Sequence, residues 1–170
     1  MRKLLTLVVI ILNLIAFAGS ALSADQGANK TGSLVIIGGA LRNDNADVYT
    51  RIVDLAGGKG AKIAIIPTAS GNPMKNGQRQ ADVFKEYGVE PFVVPIGAVK
   101  RMNNYETEAY NEELAQQIRG CTAVYFIGGD QERIIKALYD KEGKRTPVLQ
   151  AVWEVYNKGG VIAGSSDGAA

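Results

Sequence analysis

Gly164-Ser165-Ser166-Asp167-Gly168 follows the apolar run Val161-Ile162-Ala163, close to the end of a chain of 170 residues. A strand followed by Gly-x-Ser-x-Gly is the pattern of a nucleophile elbow, in which small residues let the backbone turn sharply and hold a serine Oγ exposed. In that register Ser166 is the candidate nucleophile and Ser165 the variable residue before it. The N–H of Asp167, the residue after the nucleophile, is a natural donor to an oxyanion. A second donor must come from a neighbouring loop. Gly128-Gly129 is the candidate, because glycine lets a backbone N–H approach a ligand closely. A Gly/Ser-rich turn without a catalytic role is the alternative reading of the same residues.

The nucleophile lacks its usual base, since the sequence contains no histidine. A lysine can replace histidine in Ser-Lys arrangements; Lys158 is the lysine nearest in sequence. The carboxylate of Asp167 sits awkwardly beside a developing oxyanion. It is expected to cap a following helix or to face the surface, with a contact to a cationic substrate group as the other reading. Asp130 is expected to cap a helix, which leaves Gln131 free to face a pocket. Gly38-Gly39-Ala40 lacks the Gly-x-Gly-x-x-Gly spacing of a dinucleotide loop. There is no His or Cys cluster to hold a transition metal, so neither a cofactor nor a metal is expected. Cys121, the single cysteine, reads as a small core residue rather than a reactive thiol.

The elements that must position these residues alternate. Strands are expected at Leu34–Ile37, Lys62–Ile66, Pro91–Pro95, Ala123–Ile127 and Gly160–Ala163. Helices are expected at Ala46–Ala56, Gln78–Tyr87, Asn111–Ile118, Gln131–Tyr139 and Pro147–Tyr156, the last with Thr146 as N-cap and Pro147 at its first position. The strand runs are continuously apolar rather than alternating, which is how strands buried on both faces of a parallel sheet read. Strand–helix alternation then predicts a doubly wound α/β sandwich. In such folds the site lies at the carboxyl ends of the strands. Gly38-Gly39, Thr68-Ala69-Ser70-Gly71, Gly128-Gly129-Asp130-Gln131 and the elbow are therefore expected on one rim.

The composition, 46% hydrophobic and 21% charged, is that of an ordinary globular domain. Residues 1–24 have the layout of a secretory signal peptide: Arg2-Lys3, an apolar stretch from Leu4 to Ala18, then small residues to Ala24. That predicts a secreted or periplasmic protein, with no membrane association after cleavage. A single membrane anchor is the alternative, although the run is short of the ~20 residues of a full span. Residues 25–32 read as a flexible lead-in and 33–170 as one domain. Cleavage removes two basic residues and no acid, taking the formal charge from +2 to zero. Nothing in that balance suggests a nucleic-acid partner.

Four motifs in order carry a family resemblance: Val35-Ile36-Ile37-Gly38-Gly39-Ala40, Ile66-Pro67-Thr68-Ala69-Ser70, Phe126-Ile127-Gly128-Gly129-Asp130-Gln131 and Ala163-Gly164-Ser165-Ser166-Asp167-Gly168-Ala169-Ala170. Over residues 33–170 the sequence resembles the cyanophycinases, which belong to the serine peptidase family S51 that also contains dipeptidase E. The resemblance implies a three-layer α/β/α sandwich with a mostly parallel sheet, flavodoxin-like and akin to class I glutamine amidotransferases. It implies exopeptidase hydrolysis of cyanophycin, or of a related aspartyl or isopeptide substrate, to β-Asp-Arg-like dipeptides, and it brings a homodimer into view. Carried over residue by residue, Ser166 is the nucleophile, Gly129 and Asp167 offer oxyanion N–H groups, and Gln131 binds substrate. Two departures stand out. Asp167 occupies a position where the family commonly has alanine. The histidine and acid of the family triad lie downstream of the nucleophile, so the chain is expected to be an N-terminal part of the hydrolytic domain, inactive alone. A non-catalytic binding module on the same scaffold is the competing expectation.

Overall fold

A computed structural model describes residues 31–170; the expected signal peptide and most of the lead-in lie outside the described residues. The most continuously apolar runs form inner strands. These are β2 (Lys62–Ile66), in which only Lys62 is exposed, and β6 (Ala123–Phe126), buried throughout. Around them lie β7 (Val161–Ser165), β1 (Ser33–Ile37) and β3 (Glu90–Val93), giving one parallel sheet of order β1-β7-β6-β2-β3. A separate antiparallel pair, β4 (Ala98–Val99) with β5 (Met102–Asn103), decorates the stretch after β3.

Two apolar clusters show the layers. Tyr49, Ile52 and Val53 of α1 (Ala46–Leu55), with Ala81 and Phe84 of α2 (Pro73–Glu86), pack on Ile63, Ile65, Tyr125 and Ala163 of one sheet face. On the other face Ala64, Ile66, Val124 and Phe126 meet three helices: α4 (Glu112–Arg119), α5 (Gln131–Leu138) and α6 (Pro147–Asn157). This is the three-layer α/β sandwich that strand–helix alternation predicts.

Several boundaries differ from the sequence reading for local reasons. Helix α2 starts five residues early, at Pro73, whose fixed φ suits the first helical turn. The charged stretch read as a loop contains a short helix, α3 (Tyr105–Glu108), besides the β4–β5 pair. Tyr49 escaped notice as a core residue, yet it is 1% exposed and sits between the rings of Phe84 and Tyr87 at 5.3 Å from each. Thr146 caps α6 as expected: its hydroxyl accepts from the N–H of Leu149 and donates to the carbonyl of Leu138.

Strand β1 departs from the both-faces-buried expectation. Val35 and Ile37 face the α1–α2 layer, while Leu34 and Ile36 remain 61% and 77% exposed. A continuous apolar run does not distinguish an edge strand from a central one, because strand order depends on pairing that the run itself does not encode. Cys121 is half-buried at the end of α4 rather than inside the core. Burial pushes its thiol up to about 11, which favours the protonated form.

Candidate active site

Strand β7 delivers the elbow. Ser165 is still extended, at φ −122°, and the next residue reverses the chain: Ser166 has φ +53°, a left-handed conformation unusual for a residue with a Cβ. The turn continues as a 3-10 segment over Ser166–Gly168, closed by the N–H of Ala169 donating to the carbonyl of Ser166 at 2.8 Å. The inner glycine is required by contact, since a Cβ on Gly164 would overlap the carbonyl of Gly168. Ser166 is exposed. The two adjacent serines part company here. Ser165 is half-buried near Tyr125, whose phenol burial pushes up to about 12.

The other strand ends close round Ser166. A Cβ placed on Gly39, in the turn after β1, would stand 3.6 Å from Ser166 Oγ. A Cβ on Gly128, after β6, would come within 2.7 Å of the Ser165 carbonyl oxygen and 2.8 Å of Ser166 Cβ. Position 128 thus admits no side chain while the elbow stays where it is. Gly129 adopts φ +152° and lies against the Ala69 carbonyl of the turn after β2. That carbonyl accepts from the Asp130 N–H at 3.0 Å and from Arg133 Nη1 at 2.8 Å, and Arg133 Nε lies 3.3 Å from Asp130. The turns after β2 and β6 are therefore tied to one another. The β2 turn is anchored in its own right, with the Thr68 hydroxyl donating to the Ile96 carbonyl and Ser70 Oγ accepting from Asn76.

The four expected rims are thus brought together. Asp130 caps α5, accepting from the N–H of Glu132. Gln131 is the first residue of α5 and is exposed, and α5 packs against the Ser166–Gly168 turn. Asp167 lies half-buried within the Ser166–Gly168 turn. Sequence reading missed Arg133. A guanidinium three residues after a helix-capping aspartate, one turn along the helix, is the signal that could have found it.

An exposed serine at an αL elbow, ringed by glycine turns, has the shape that the elbow pattern requires. The family model "Peptidase family S51" matches residues 34–170. The chain belongs to peptidase family S51. Among curated relatives, it is 32% identical to a cyanophycinase of Synechococcus elongatus over 148 residues, covering 85% of this chain and 42% of that protein. It is 34% identical to a cyanophycinase of Geminocystis herdmanii over 140 residues, covering 81% and 47%. The chain therefore spans a little under half the length of these relatives. Its fold is similar to the crystal structure of a peptidase from an acI-B1 actinobacterium. That match has a TM-score of 0.64 and 24% identity, over 83% of this chain and 56% of that one.

Proposed function

We propose that this S51 chain carries the nucleophile half of a serine exopeptidase of the cyanophycinase type, acting on cyanophycin or a related aspartyl isopeptide. The observation that carries this reading is Ser166 held exposed at φ +53° with the Gly128-Gly129 turn against it. Ser166 Oγ attacks the carbonyl carbon of the scissile amide, and its proton passes to a base. The resulting oxyanion accepts from the N–H groups of Gly129 and Asp167. Collapse breaks the C–N bond and releases the amine product, and water then hydrolyses the acyl-serine. Gln131, on the rim beside the elbow, binds substrate. The base is supplied from outside the 170 residues, which contain no histidine.

The test is a chain completed with the downstream half of the Synechococcus elongatus relative and assayed for release of β-Asp-Arg dipeptide from cyanophycin. Ser166→Ala should abolish release and Ser165→Ala should retain it. Full activity in Ser166→Ala would refute the assignment. The absence of histidine favours a second reading, a non-catalytic module that binds the polymer. Saturable binding of cyanophycin to the present chain, with no turnover in the completed one, would establish that reading instead.

We further propose export, on the basic start, apolar run and small residues of positions 1–24. The exported protein should begin at Ala24 or Asp25 on N-terminal sequencing. A protein that still begins at Met1 in the membrane fraction would make the segment an anchor.

A further inference from the structure

A groove lies away from the elbow, at the other end of α5. Helix α5 packs against α3 and β4, and the turn that follows it closes back on itself. In that turn Asp140 Oδ1 accepts from the N–H groups of Glu142 at 2.9 Å and Lys144 at 2.7 Å. The Asp140 N–H donates to the Lys144 carbonyl, and Tyr139 pairs with Arg145. Helix α3 and this turn both line an open hollow of ≈ 930 Å³. Small-molecule sites span about 300–1,000 Å³.

The lining combines aromatic rings with charges of both signs. Tyr105, Tyr110 and Tyr139 supply the rings, and Tyr110 is 49% exposed. Lys136 Nζ stands 5.2 Å from the centre of the Tyr105 ring, so a ring face of this groove already accepts a cation. Glu106 and Asp140 bring carboxylates to the hollow, and Lys136 and Lys141 bring ammonium groups. Among the described residues none of these four forms a salt bridge. Glu106 Oε1 accepts from the Tyr105 hydroxyl at 3.2 Å, and both bonds to the Asp140 side chain fall on Oδ1. A ligand with a single charge would meet repulsion there as well as attraction. A ligand with one charge of each sign, its cation flat enough to lie on a ring, meets complementary partners throughout. A guanidinium is such a cation: planar, able to stack on aromatic faces and bidentate towards carboxylates.

We propose that this groove binds an arginine residue whose α-carboxylate is free and whose α-nitrogen is acylated. Glu106 and Asp140 accept its guanidinium against the tyrosine rings, and Lys136 and Lys141 meet its carboxylate. Acylation removes the third charge of free arginine and leaves one of each sign. The side units of a β-Asp-Arg polymer have this form, because the isopeptide bond takes up the arginine α-amine; naming that polymer as the source rests on the cyanophycin reading above. Lys136 lies five residues beyond Gln131 on the same helix, about 7.5 Å along its axis. A polymer of repeated units held in the groove is thereby kept close to the elbow, and this second attachment raises the local concentration of its other units there.

The test titrates the full chain with Nα-acetylarginine and follows amide NMR shifts. Saturable shifts should centre on Ile135, Lys136 and Asp140, and β-Asp-Arg dipeptide should move the same residues. Nα-acetylarginine amide, which lacks the carboxylate, and Nα-acetylcitrulline, which carries an uncharged urea, should each bind about two- to fivefold more weakly, the worth of one exposed ion pair. Glu106 and Lys136 are exposed, so their substitution leaves the fold intact. Glu106→Gln should shrink the preference for arginine over citrulline, and Lys136→Gln the preference for acid over amide. No saturable binding of Nα-acetylarginine, equal binding of either analogue, or variants that keep both preferences intact would overturn the proposal. Shifts confined to Gly129, Gln131 and Ser166–Gly168 would overturn it by placing the ligand at the elbow. A dimer that Tyr110→Ala dissociates would overturn it by placing a second copy in the groove. Binding of Nα-acetylarginine without binding of the dipeptide would overturn the polymer as its source. None of these readouts requires Ser166 to be catalytic, so failure of the groove and failure of the peptidase reading are told apart.

Discussion

Two neighbouring serines should respond oppositely to the same pair of substitutions. Ser166 sits at φ +53°, where a Cβ crowds the following carbonyl at a cost of about 1–2 kcal/mol, while glycine bears none of it. Glycine in turn gives up about 0.5–1 kcal/mol through the greater freedom of its unfolded chain. Ser166→Gly should therefore be more stable than Ser166→Ala by roughly 0.5–1 kcal/mol. Ser165 is extended, at φ −122° and ψ 142°, where glycine gains nothing and keeps its entropic penalty. Ser165→Gly should then be less stable than Ser165→Ala by a similar amount, about 0.5–1 kcal/mol. Comparing glycine with alanine at each site cancels the loss of the hydroxyl.

Urea unfolding resolves differences of this size. With a slope of about 2 kcal/mol/M, each pair should be separated by about 0.25–0.5 M in midpoint, with opposite order at the two positions. Equal slopes within each pair are needed for the midpoints to report stability alone. If Ser166→Ala matched or exceeded Ser166→Gly, the elbow would hold no backbone strain. The strongest structural reason for singling out Ser166 over Ser165 would then be gone.

Two further measurements address the surroundings. Gly128→Ala should destabilise the fold by about 1–3 kcal/mol, as overpacking does, because its Cβ meets the Ser165 carbonyl at 2.7 Å and Ser166 Cβ at 2.8 Å; a urea midpoint unchanged from the parent would show that the β6 turn does not press on the elbow. Tyr125 should make stability fall at high pH: burial raises its folded pKa from about 10 to about 12, so its contribution is complete below pH 10 and is lost as pH rises through 12. Tyr125→Phe should flatten the decline between about pH 10 and 12 relative to the parent, and parallel stability curves would refute the assignment.

Sequence carried the rim further than it carried the frame. Strand–helix alternation and four Gly-rich strand ends were enough to predict a parallel sheet and to gather Gly39, Ala69, Gly129 and Ser166 on one side of it, because parallel topology sends every strand end the same way. The elbow was legible for the same reason: its need for small residues is local, and Gly164 and Ser166 express it within three positions. What could not be read is set by partners distant in sequence. Leu34 and Ile36 look as apolar as Ile63 and Ile65, and only the strand order makes one pair exposed and the other buried. The Arg133 tie to Ala69 spans 64 residues, and no local pattern announces it.

That tie bears on how the site is held. The Gly128-Gly129 turn has no side chain with which to fasten itself, and it must stay small because the elbow presses on it. Its rigidity has to come from neighbouring residues. Asp130 provides one link by capping α5, and its N–H provides another through the Ala69 carbonyl. Arg133 closes the loop by reaching the same carbonyl while pairing with Asp130. In the proposed oxyanion role, the Gly129 N–H gains from both features of such a turn, because a donor that approaches closely and is held in direction need not move to meet a developing charge. The polar residues of this rim thus divide the work: Ser166 and Gln131 face outward, and Asp130, Arg133 and Thr68 hold the backbone beneath them.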